Sequence, residues 1–434
     1  MRYPRLLLPW LLASLTASTF AAEPNSTSAA AAPATTAAAP DRFQLPATDD
    51  GLPGAGPLRR YEWFQNLWRE RRSTWAKRVQ ADTGAIVLLG DSITQGWTAV
   101  GSTMPGFKFA NRGISGDTTR GVLIRLEEDV LALKPRGVVL LIGTNDLEEG
   151  AAPETIAGNL RLLLAALKQH NPQMPVILCQ VFPSSETKKR SAEQIKRINR
   201  LYFEAVRNEP QVTLLDTWTL FADDRGDAKL EEFPDLLHPN GRGYAKWASA
   251  LRPVLESTGL IPAWPDDFQP EPGFVSLFNR RDLTGWTTPD GESLDAGLRT
   301  ADGRFAAVNG RLLAVMSRLE RTPRKLVTRQ QFPRDFVLRM EFRASPNADS
   351  GVYVREPQVQ CRDFPLAGPY YGLQRYRPLE WNTLEITVRG GLAHAECNGE
   401  VIIDAMPVPA SGPIGIENDR GQMEYRRIRV RELR

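Results

Sequence analysis

Cysteine and histidine are scarce in this chain of 434 residues, which contains three of each. The histidines, His170, His238 and His394, are far apart, and neither a CxxC nor an HExxH motif occurs. Zinc and related metal sites depend on such closely spaced ligands. We therefore predict no metal site and no cofactor.

The sequence also lacks an apolar run long enough for a membrane span. Residues 6–15 are largely apolar, but Pro9 interrupts them and they are too short to cross a bilayer comfortably. Arg2 and Arg5 precede this run and small residues follow it. This pattern predicts a signal peptide over residues 1–22, export to a secreted or periplasmic location, and no stable membrane anchor.

A marked excess of one charge is missing as well. The net charge is +3, and the basic residues are interspersed with Asp and Glu. Two basic clusters, at residues 69–72 and 188–190, lie in helical patterns and are interpreted as solvated helix faces. The charge distribution therefore predicts no nucleic-acid partner.

Two changes of composition divide the chain. Residues 23–56 are rich in Ala, Pro, Thr and Ser and have no apolar periodicity, so we predict a flexible linker that buries too little surface to offset its ordering entropy. Residues 261–272 are rich in proline and predict a stiff spacer between domains. The two domains are then residues 57–260 and residues 273–434.

Residues 57–260 alternate between apolar strand patterns and amphipathic helix patterns. Near-continuous apolar strands of this kind predict a parallel sheet that helices cover on both faces. The predicted strands are 86–89, 107–110, 137–142, 176–182 and 212–216. The predicted helices are 57–80, 118–132, 153–170, 188–208 and 240–256.

Residues 273–434 show a period of two instead. Apolar residues alternate with polar ones around residues 336–342 and 384–388, and Asn-Gly and Gly-Gly pairs separate such runs. Because these pairs are typical of hairpin turns, we predict an antiparallel β-sandwich.

Two of the three cysteines are candidates for a disulfide bond. Cys361 and Cys397 both lie in the C-terminal half, and export would place them in an oxidising compartment. Cys179 lies in an apolar run and is interpreted as a buried free thiol.

Polar turns follow several of the predicted strands. The first strand ends in Gly-Asp-Ser, which presents Ser92 at the carboxyl end of a strand, where ligands gather in open α/β sheets. Ser92 is there either a nucleophile or a helix cap. Asn145 occupies the same place after a later strand, and Gly113 lies in a third such turn. In a fourth turn Asp235 precedes His238 by three residues, which would let a carboxylate orient an imidazole.

These turns resemble the motif blocks of the SGNH, or GDSL, family of serine esterases. GDSIT at 90–94, Gly113, GTND at 143–146 and DxxH at 235–238 stand in the family's order, over about residues 59–260. The resemblance implies a three-layer α/β SGNH-hydrolase fold with a flavodoxin-like parallel sheet.

The same resemblance implies a role for each of these residues. Ser92 is the nucleophile, His238 is the base, and Asp235 is its orienting partner. The backbone N–H groups of Ser92 and Gly113 and the side-chain amide of Asn145 form the oxyanion hole.

Three neighbouring residues are assigned from the pattern itself. Asp91 and Asp146 flank the site residues, and we interpret them as fixing the geometry of their turns. Trp97 has two interpretations, packing against the sheet or lining a sugar site.

The C-terminal half resembles the 3-keto-disaccharide hydrolase-like domains, which have a concanavalin-like jelly-roll fold. Where such domains often have a glutamate two residues before a glutamine, this chain has Gln358 and Gln360, with Asp363 following. The missing carboxylate weakens the case for acid–base chemistry in this domain. The motifs that carry the resemblance are GFVSLFNRRDLTGW at 273–286, SGVYVR at 350–355, EWNTLEITVRGG at 380–391 and GPIGIEND at 412–419.

The sequence thus predicts an exported serine esterase that hydrolyses acyl esters, O-acetyl in the first place, on carbohydrate. Its C-terminal domain would bind polysaccharide or process it. Three alternatives stay open. In the first, the substrate is a lipid or a thioester, as for a lysophospholipase or thioesterase. In the second, the C-terminal domain cleaves 3-keto-glycosides and the protein is bifunctional. In the third, the chain is an inert glycan-binding protein, and the complete set of site residues argues against this.

Overall fold

The computed structural model describes residues 41–434 apart from residues 208, 264, 316–322 and 371. Residues Phe43–Arg434 belong to one compact unit. The predicted signal peptide and residues 23–40 of the predicted N-terminal linker lie outside the described residues.

A five-stranded parallel sheet forms the centre of the N-terminal half. Its strands are β1 (Ile86–Gly90), β2 (Phe109–Gly113), β3 (Gly137–Leu141), β4 (Val176–Cys179) and β5 (Val212–Leu215). They lie in the order β2-β1-β3-β4-β5, with parallel pairing throughout. The residues of β1 and β3 are all buried because both faces of the sheet are covered.

Helices cover the two faces of this sheet. On one face Leu89 and Leu140 pack with apolar residues of the helices at 119–129, 153–170 and 192–206, and on the other Leu88 and Leu141 pack with residues of the helix at 241–257. The helices are α1 (Glu62–Ala76), α2 (Val79–Asp82), α3 (Ser92–Gly96), α4 (Val100–Thr103), α5 (Thr119–Asp129), α6 (Thr144–Glu148), α7 (Pro153–His170), α8 (Ala192–Val206), α9 (Thr217–Phe221) and α10 (Gly241–Ser257).

Two predicted elements are shorter in the structure for identifiable reasons. The strand predicted to reach residue 182 ends at Cys179, because the side-chain amide of Asn199 bonds both the N–H and the C=O of Val181 and takes them out of the sheet. The helix predicted from residue 188 begins only after Ser191, whose hydroxyl accepts from the Gln194 N–H as an N-cap. The preceding residues, Glu186–Lys188, form a separate 3₁₀ turn.

The C-terminal half is an antiparallel sandwich, as predicted. Its strands are β6 (Val275–Ser276), β7 (Trp286–Thr287), β8 (Phe305–Val308), β9 (Arg311–Val315), β10 (Arg324–Thr328), β11 (Phe336–Ala344), β12 (Gly351–Val354), β13 (Gln358–Gln360), β14 (Asn382–Arg389), β15 (Leu392–Cys397), β16 (Glu400–Pro407), β17 (Ile414–Asn418) and β18 (Gln422–Glu432), with the short helix α11 (Phe364–Ala367). One sheet has the order β13-β12-β17-β10-β7, and the other has the order β16-β15-β14-β11-β18-β9-β8, with β6 also pairing with β18. The alternating residues predicted to face inward, such as Leu338 and Ile386, are fully buried between the sheets. The predicted fold class is therefore confirmed for both halves.

The cysteines correct one prediction. Cys179, Cys361 and Cys397 are all buried free thiols, so the predicted bond between Cys361 and Cys397 is not formed. Both belong to the sandwich core, where burial raises the pKa of Cys397 to about 12. A sequence pattern carries no information about the approach of two sulfur atoms that are far apart in the chain, which is why the pairing could not be derived.

Side chains from the two halves meet in a buried cluster of charges. Glu256 near the end of α10 is fully buried, and its carboxylate accepts from Arg311 Nη1 at 2.6 Å and from Arg343 Nη2 at 2.9 Å. Glu424 of β18 accepts from the same two guanidinium groups at 3.1 and 2.9 Å. Leu379 of the C-terminal half also packs into the hydrophobic cluster of the N-terminal half.

The described parts of both predicted linkers have partners. In the spacer, Asp266 pairs with Arg427 of β18 at 2.9 Å. In the N-terminal linker, Asp49 pairs with Arg120 at 2.7 Å and the N–H of Ala55 donates to Asn159. These segments therefore contact the domains at particular residues, while most described residues of 41–56 are exposed.

No helix among the described residues is long and apolar enough to cross a membrane.

Candidate active site

Ser92 stands at the turn between β1 and α3. Asp91 caps the helix by accepting from the Ile93 N–H at 3.0 Å, so Ser92 becomes the first helical residue at the carboxyl edge of the sheet. Gly90 permits this sharp turn, because a Cβ there would lie 2.2 Å from the Leu141 carbonyl oxygen and 2.3 Å from Thr94 Oγ1.

His238 reaches Ser92 from a loop that lies 146 residues later in the chain. The distance from His238 Nε2 to Ser92 Oγ is 2.9 Å, and the distance from His238 Nδ1 to Asp235 Oδ2 is 2.7 Å. The loop is held in place by the Ser184 hydroxyl, which donates to the Leu236 carbonyl at 2.8 Å. The three side chains form a continuous hydrogen-bonded chain from carboxylate to imidazole to hydroxyl.

The surroundings of Asp235 keep its carboxyl group ionised. Partial burial acts to raise its pKa, but hydrogen bonds from the backbone N–H and the ring of His238 and from the N–H of Leu237 outweigh it and lower the pKa to about 2. An ionised carboxylate at Nδ1 keeps the proton on that nitrogen and leaves Nε2 free to accept from Ser92.

The side-chain amide of Asn145 is held in one orientation beside Ser92. Its Nδ2 donates to the Asp117 carbonyl at 2.9 Å, and its Oδ1 accepts from Arg190 Nη2 at 3.0 Å. An amide nitrogen carries two hydrogens, so one donor remains for a ligand in the cleft that Asn145 and Ser92 both line.

Gly113 does not take the place that the sequence predicted for it. Its N–H donates to Asn111 Oδ1 at 3.0 Å, and the residue is wedged against α3, where a Cβ would lie 2.3 Å from the Gln95 backbone nitrogen. Gly113 therefore serves the packing of β2 against α3 rather than offering a donor to the cleft.

Gly116, three residues later in the same turn, lines the cleft instead. Among the described residues its N–H has no hydrogen-bond acceptor. Its φ is +86°, and a Cβ would lie 2.7 Å from the Trp63 ring. The sequence pattern alone could not distinguish the two glycines. In the structure Gly113 is the last residue of β2, and only the turn beyond it opens to the site.

Buried carboxylates lie directly behind the site. Burial raises the pKa of Asp91 to about 7 and that of Asp146 to about 6. Asp146 accepts from the Thr119 N–H and hydroxyl, and so ties α6 to the start of α5. The predicted roles of both aspartates in turn geometry agree with these contacts.

The cleft has a volume of about 440 Å³. The half-exposed indole of Trp63 forms part of its wall. The sequence pattern predicts Arg190 on a solvated helix face, but Arg190 is buried and bonds Thr144 and Asn145. The residues that line the cleft are Arg59, Trp63, Ser92, Ser115, Gly116, Asn145, Glu148, Thr187, Lys188, Lys189, Arg190, Asp235, Leu237 and His238.

Other candidate residues lie outside the cleft. Trp97 is buried and packs on Trp247 at a centroid distance of 4.4 Å, which supports its interpretation as a core residue. His170 ends α7, and His394 of β15 lies beside Glu396. Within the described residues, no group of three or more His, Cys, Asp or Glu side chains is arranged to hold a metal ion.

Comparison with known proteins separates the two halves in the same way. The family model of GDSL-like lipases and acylhydrolases matches residues 88–246, and that of the 3-keto-alpha-glucoside-1,2-lyase-like domain matches residues 273–431.

Curated relatives match the N-terminal half. The alpha2 subunits of platelet-activating factor acetylhydrolase IB from Homo sapiens and Bos taurus are 30% identical over 209 residues, which is 46% of this chain and 88% of theirs. The alpha1 subunit from Bos taurus is 28% identical over 39% of this chain and 74% of its own. A solved GDSL-like lipase from Bacteroides thetaiotaomicron is similar at 24% identity with a TM-score of 0.38, over 43% of this chain and 97% of its own.

Proposed function

Since the chain belongs to the GDSL-like lipase/acylhydrolase family, we propose that this ester hydrolase is an exported serine esterase that removes acyl groups, acetyl in the first place, from carbohydrate. The observation that carries the proposal is the hydrogen-bonded chain from Asp235 through His238 to Ser92, with distances of 2.7 and 2.9 Å.

These distances support a two-step acyl transfer. Ser92 Oγ attacks the ester carbonyl carbon while His238 Nε2 takes the hydroxyl proton, and the imidazolium then returns this proton to the departing alcohol. In the second step His238 deprotonates a water that attacks the acyl carbon on Ser92, and the imidazolium returns this proton to Ser92 Oγ as the bond to the acyl group breaks and the carboxylic acid leaves. Asp235 orients the ring and stabilises its charged form throughout.

The oxyanion of each step needs donors that are in place beforehand. We assign the Ser92 N–H, the second amide hydrogen of Asn145 and the N–H of Gly116 in place of that of Gly113. All three residues line the cleft, and the N–H of Gly113 is already bonded to Asn111.

Different observations support the choice of acyl group and the choice of alcohol. The relatives are named as acetylhydrolases of platelet-activating factor, which supports a short acyl chain. The 3-keto-alpha-glucoside-1,2-lyase-like domain at residues 273–431 supports a carbohydrate alcohol and polysaccharide as the partner of that domain. A lipid alcohol is the alternative that the relatives' name favours.

The test compares substrates and removes the nucleophile. The full chain should release acetate from acetylated polysaccharide faster than it hydrolyses acetylated phospholipid, and its rate on simple esters should fall as the acyl chain lengthens. Ser92→Ala should reduce every one of these rates to background, with thermal unfolding unchanged. Wild-type turnover in that variant would contradict the mechanism, and preference for the phospholipid would select the lipid alternative.

A second candidate function concerns the sandwich. Gln358 stands where a carboxylate was expected, but its side-chain amide donates to Glu417, which also accepts from the Tyr353 hydroxyl at 2.9 Å. Burial raises the pKa of Glu417, so the sandwich carries a carboxyl group beside Gln358 that can exchange a proton. Asp349 is paired with Arg362 and is a weaker candidate. Cleavage of a 3-keto-glycoside by the full chain, and its loss in Glu417→Gln, would establish a bifunctional enzyme.

A further inference from the structure

The wall of the cleft carries more positive than negative charge. Four cationic side chains line it, and Glu148 and Asp235 are the lining carboxylates. Glu148 pairs with both Arg59 and Arg190, Arg59 also pairs with Glu149 at 2.7 Å, and Asp235 is bonded to His238. The arginines are thereby neutralised by protein carboxylates. The cationic side chains are Arg59, Lys188, Lys189 and Arg190.

The two lysines are not neutralised in this way. Within the described part of the chain, neither Lys188 nor Lys189 has a carboxylate at ion-pair distance. Even Glu186, in the same turn, forms no ion pair with them. Two ammonium groups at the wall of a substrate cleft are thus available to an anion.

The turn that carries these lysines is held firmly to the site. The backbone N–H of Lys189 donates to the Glu186 carbonyl at 2.9 Å, and that of Arg190 donates to the Ser185 carbonyl at 3.1 Å. The Arg190 guanidinium then bonds Thr144 and Asn145. The backbone of both lysines is therefore held in place relative to the amide that we assign to the oxyanion hole.

An aromatic surface lies at the same cleft. The Trp63 ring borders the Gly116 turn, and half of its surface is exposed. The Tyr61 ring lies nearly parallel to it, with an interplanar angle of 9° and a centroid distance of 6.4 Å, and is also half exposed. Large aromatic side chains exposed beside a polar cleft are typical of ligand contacts, since each ring offers a flat apolar face.

We propose that the cleft selects esters whose alcohol is an acidic sugar, with Lys188 and Lys189 binding the sugar carboxylate and Trp63 contacting a ring face. The proposal rests on the proposed esterase function and specifies its substrate. The apolar face of Trp63 and the carbohydrate-related second domain favour a sugar over other anionic alcohols.

The experiment uses two substrates that differ in one charge. The first is an O-acetylated methyl glucuronoside with a free carboxylate, and the second is the methyl ester of the same sugar. The measured quantity is the ratio of kcat/KM for acetate release from the acid to that from its methyl ester. The wild-type ratio should exceed one and fall as salt is added, because salt screens the exposed charges.

The matched variants remove two positive charges at different places. Lys188→Gln/Lys189→Gln should lower the ratio by about tenfold, mainly through KM for the acid, since each exposed ion pair contributes modestly. Lys77→Gln/Lys134→Gln removes two exposed lysines outside the cleft, and Lys134, like Lys189, has a positive φ. That pair should leave the ratio at its wild-type value.

The outcomes separate this proposal from the esterase function. If the Lys188/Lys189 variant keeps the wild-type ratio while Ser92→Ala is inactive on both substrates, the charge selection is wrong and the esterase stands. Hydrolysis of both substrates by Ser92→Ala overturns the proposed function itself. If the lysine variant loses activity on acetylated glycerol phosphate but not on the glucuronoside, the lysines bind the phosphate of a non-sugar alcohol and the sugar proposal fails.

Discussion

Asn145 shows how one side chain becomes a directed donor. Its oxygen accepts from Arg190 and one amide hydrogen is given to Asp117, so the remaining hydrogen has a defined position. Asn145→Ala should lower kcat by about 10²–10³-fold while partial activity persists, because the backbone donors remain. Steady-state kinetics on a soluble acetyl ester measures the loss. Asn171→Ala, at the exposed end of α7, is the matched control, and an Asn145→Ala variant as active as this control would contradict the assignment.

Gly116 offers a second test of the proposed oxyanion hole. An alanine there must adopt a φ of +86° and place its Cβ 2.7 Å from the Trp63 ring, so the turn has to shift. Displacing a catalytic group by about 1 Å can cost about 10²-fold in rate, and we expect kcat/KM to fall by that order.

Gly150→Ala separates strain from position. Gly150 has a similar φ of +83° but no atom within 4 Å of its Cβ position, so this variant bears the backbone strain in open space. It should keep wild-type activity and lose only the stability that the backbone strain costs. Equal activity of the two variants would show that the Gly116 N–H is not part of the oxyanion hole.

At the scale of the element, the β1–α3 turn depends on a buried cap. Asp91 Oδ1 accepts from Ile93, whereas Oδ2 is buried without a partner among the described residues, and burial raises the pKa of this carboxyl to about 7. The folded protein then binds a proton that the unfolded chain has already released. The contribution of Asp91 to the free energy of unfolding is therefore present at low pH and is lost as the pH rises from about 4 to about 7.

Asp91→Asn isolates this effect, because asparagine keeps the acceptor for Ile93 and cannot ionise. The free energy of unfolding of the variant, relative to wild type, should increase with pH by at most about 1.4 kcal/mol per pH unit between pH 4 and 7 and level off above. Urea denaturation at a series of pH values measures it. Parallel pH profiles for the two proteins would contradict the raised pKa.

The elements also show where a pattern misleads. The sequence pattern predicts a solvated helix face at residues 188–190, yet α8 begins at Ala192 and the basic residues lie in a turn at the cleft. The same error affected Arg72, which is buried and bonds Asp129 at 3.0 Å. Charge and helical spacing alone do not show which face of an element a neighbouring element will cover.

At the scale of the molecule, the two halves are joined by more than a spacer. Glu256 is buried against Arg311 and Arg343, and removing one partner of such a group leaves buried charges uncompensated. Glu256→Ala should therefore lower the free energy of unfolding by about 3–5 kcal/mol. Glu154→Ala, which removes an exposed pair with Arg197, should cause no measurable change. Equal melting temperatures for the two variants would mean that the interface is not formed in solution.

This interface also revises the view of the second domain as a tethered module. Proline content alone predicts a stiff spacer without contacts to the domains. In the structure Leu379 packs into the N-terminal core and Asp266 of the spacer is paired with Arg427. Recruitment of polysaccharide by the sandwich stays a prediction, with a rigid rather than a swinging geometry as its structural basis.

The sequence by itself determined the local features of this protein. Apolar strands, the Gly-Asp-Ser turn and the three-residue spacing of Asp235 and His238 follow from short-range periodicity and turn chemistry, and the strands were sufficient for the fold class. The roles of the site residues came from the resemblance to the SGNH family and stay predictions. Which distant groups meet depends on the packing of the whole chain. The approach of His238 to Ser92, the choice of Gly116 over Gly113 and the placing of Lys188 and Trp63 at one cleft depend on how the helices pack on the sheet. That packing is a sum of many contacts between residues far apart in the chain, and no local pattern encodes it.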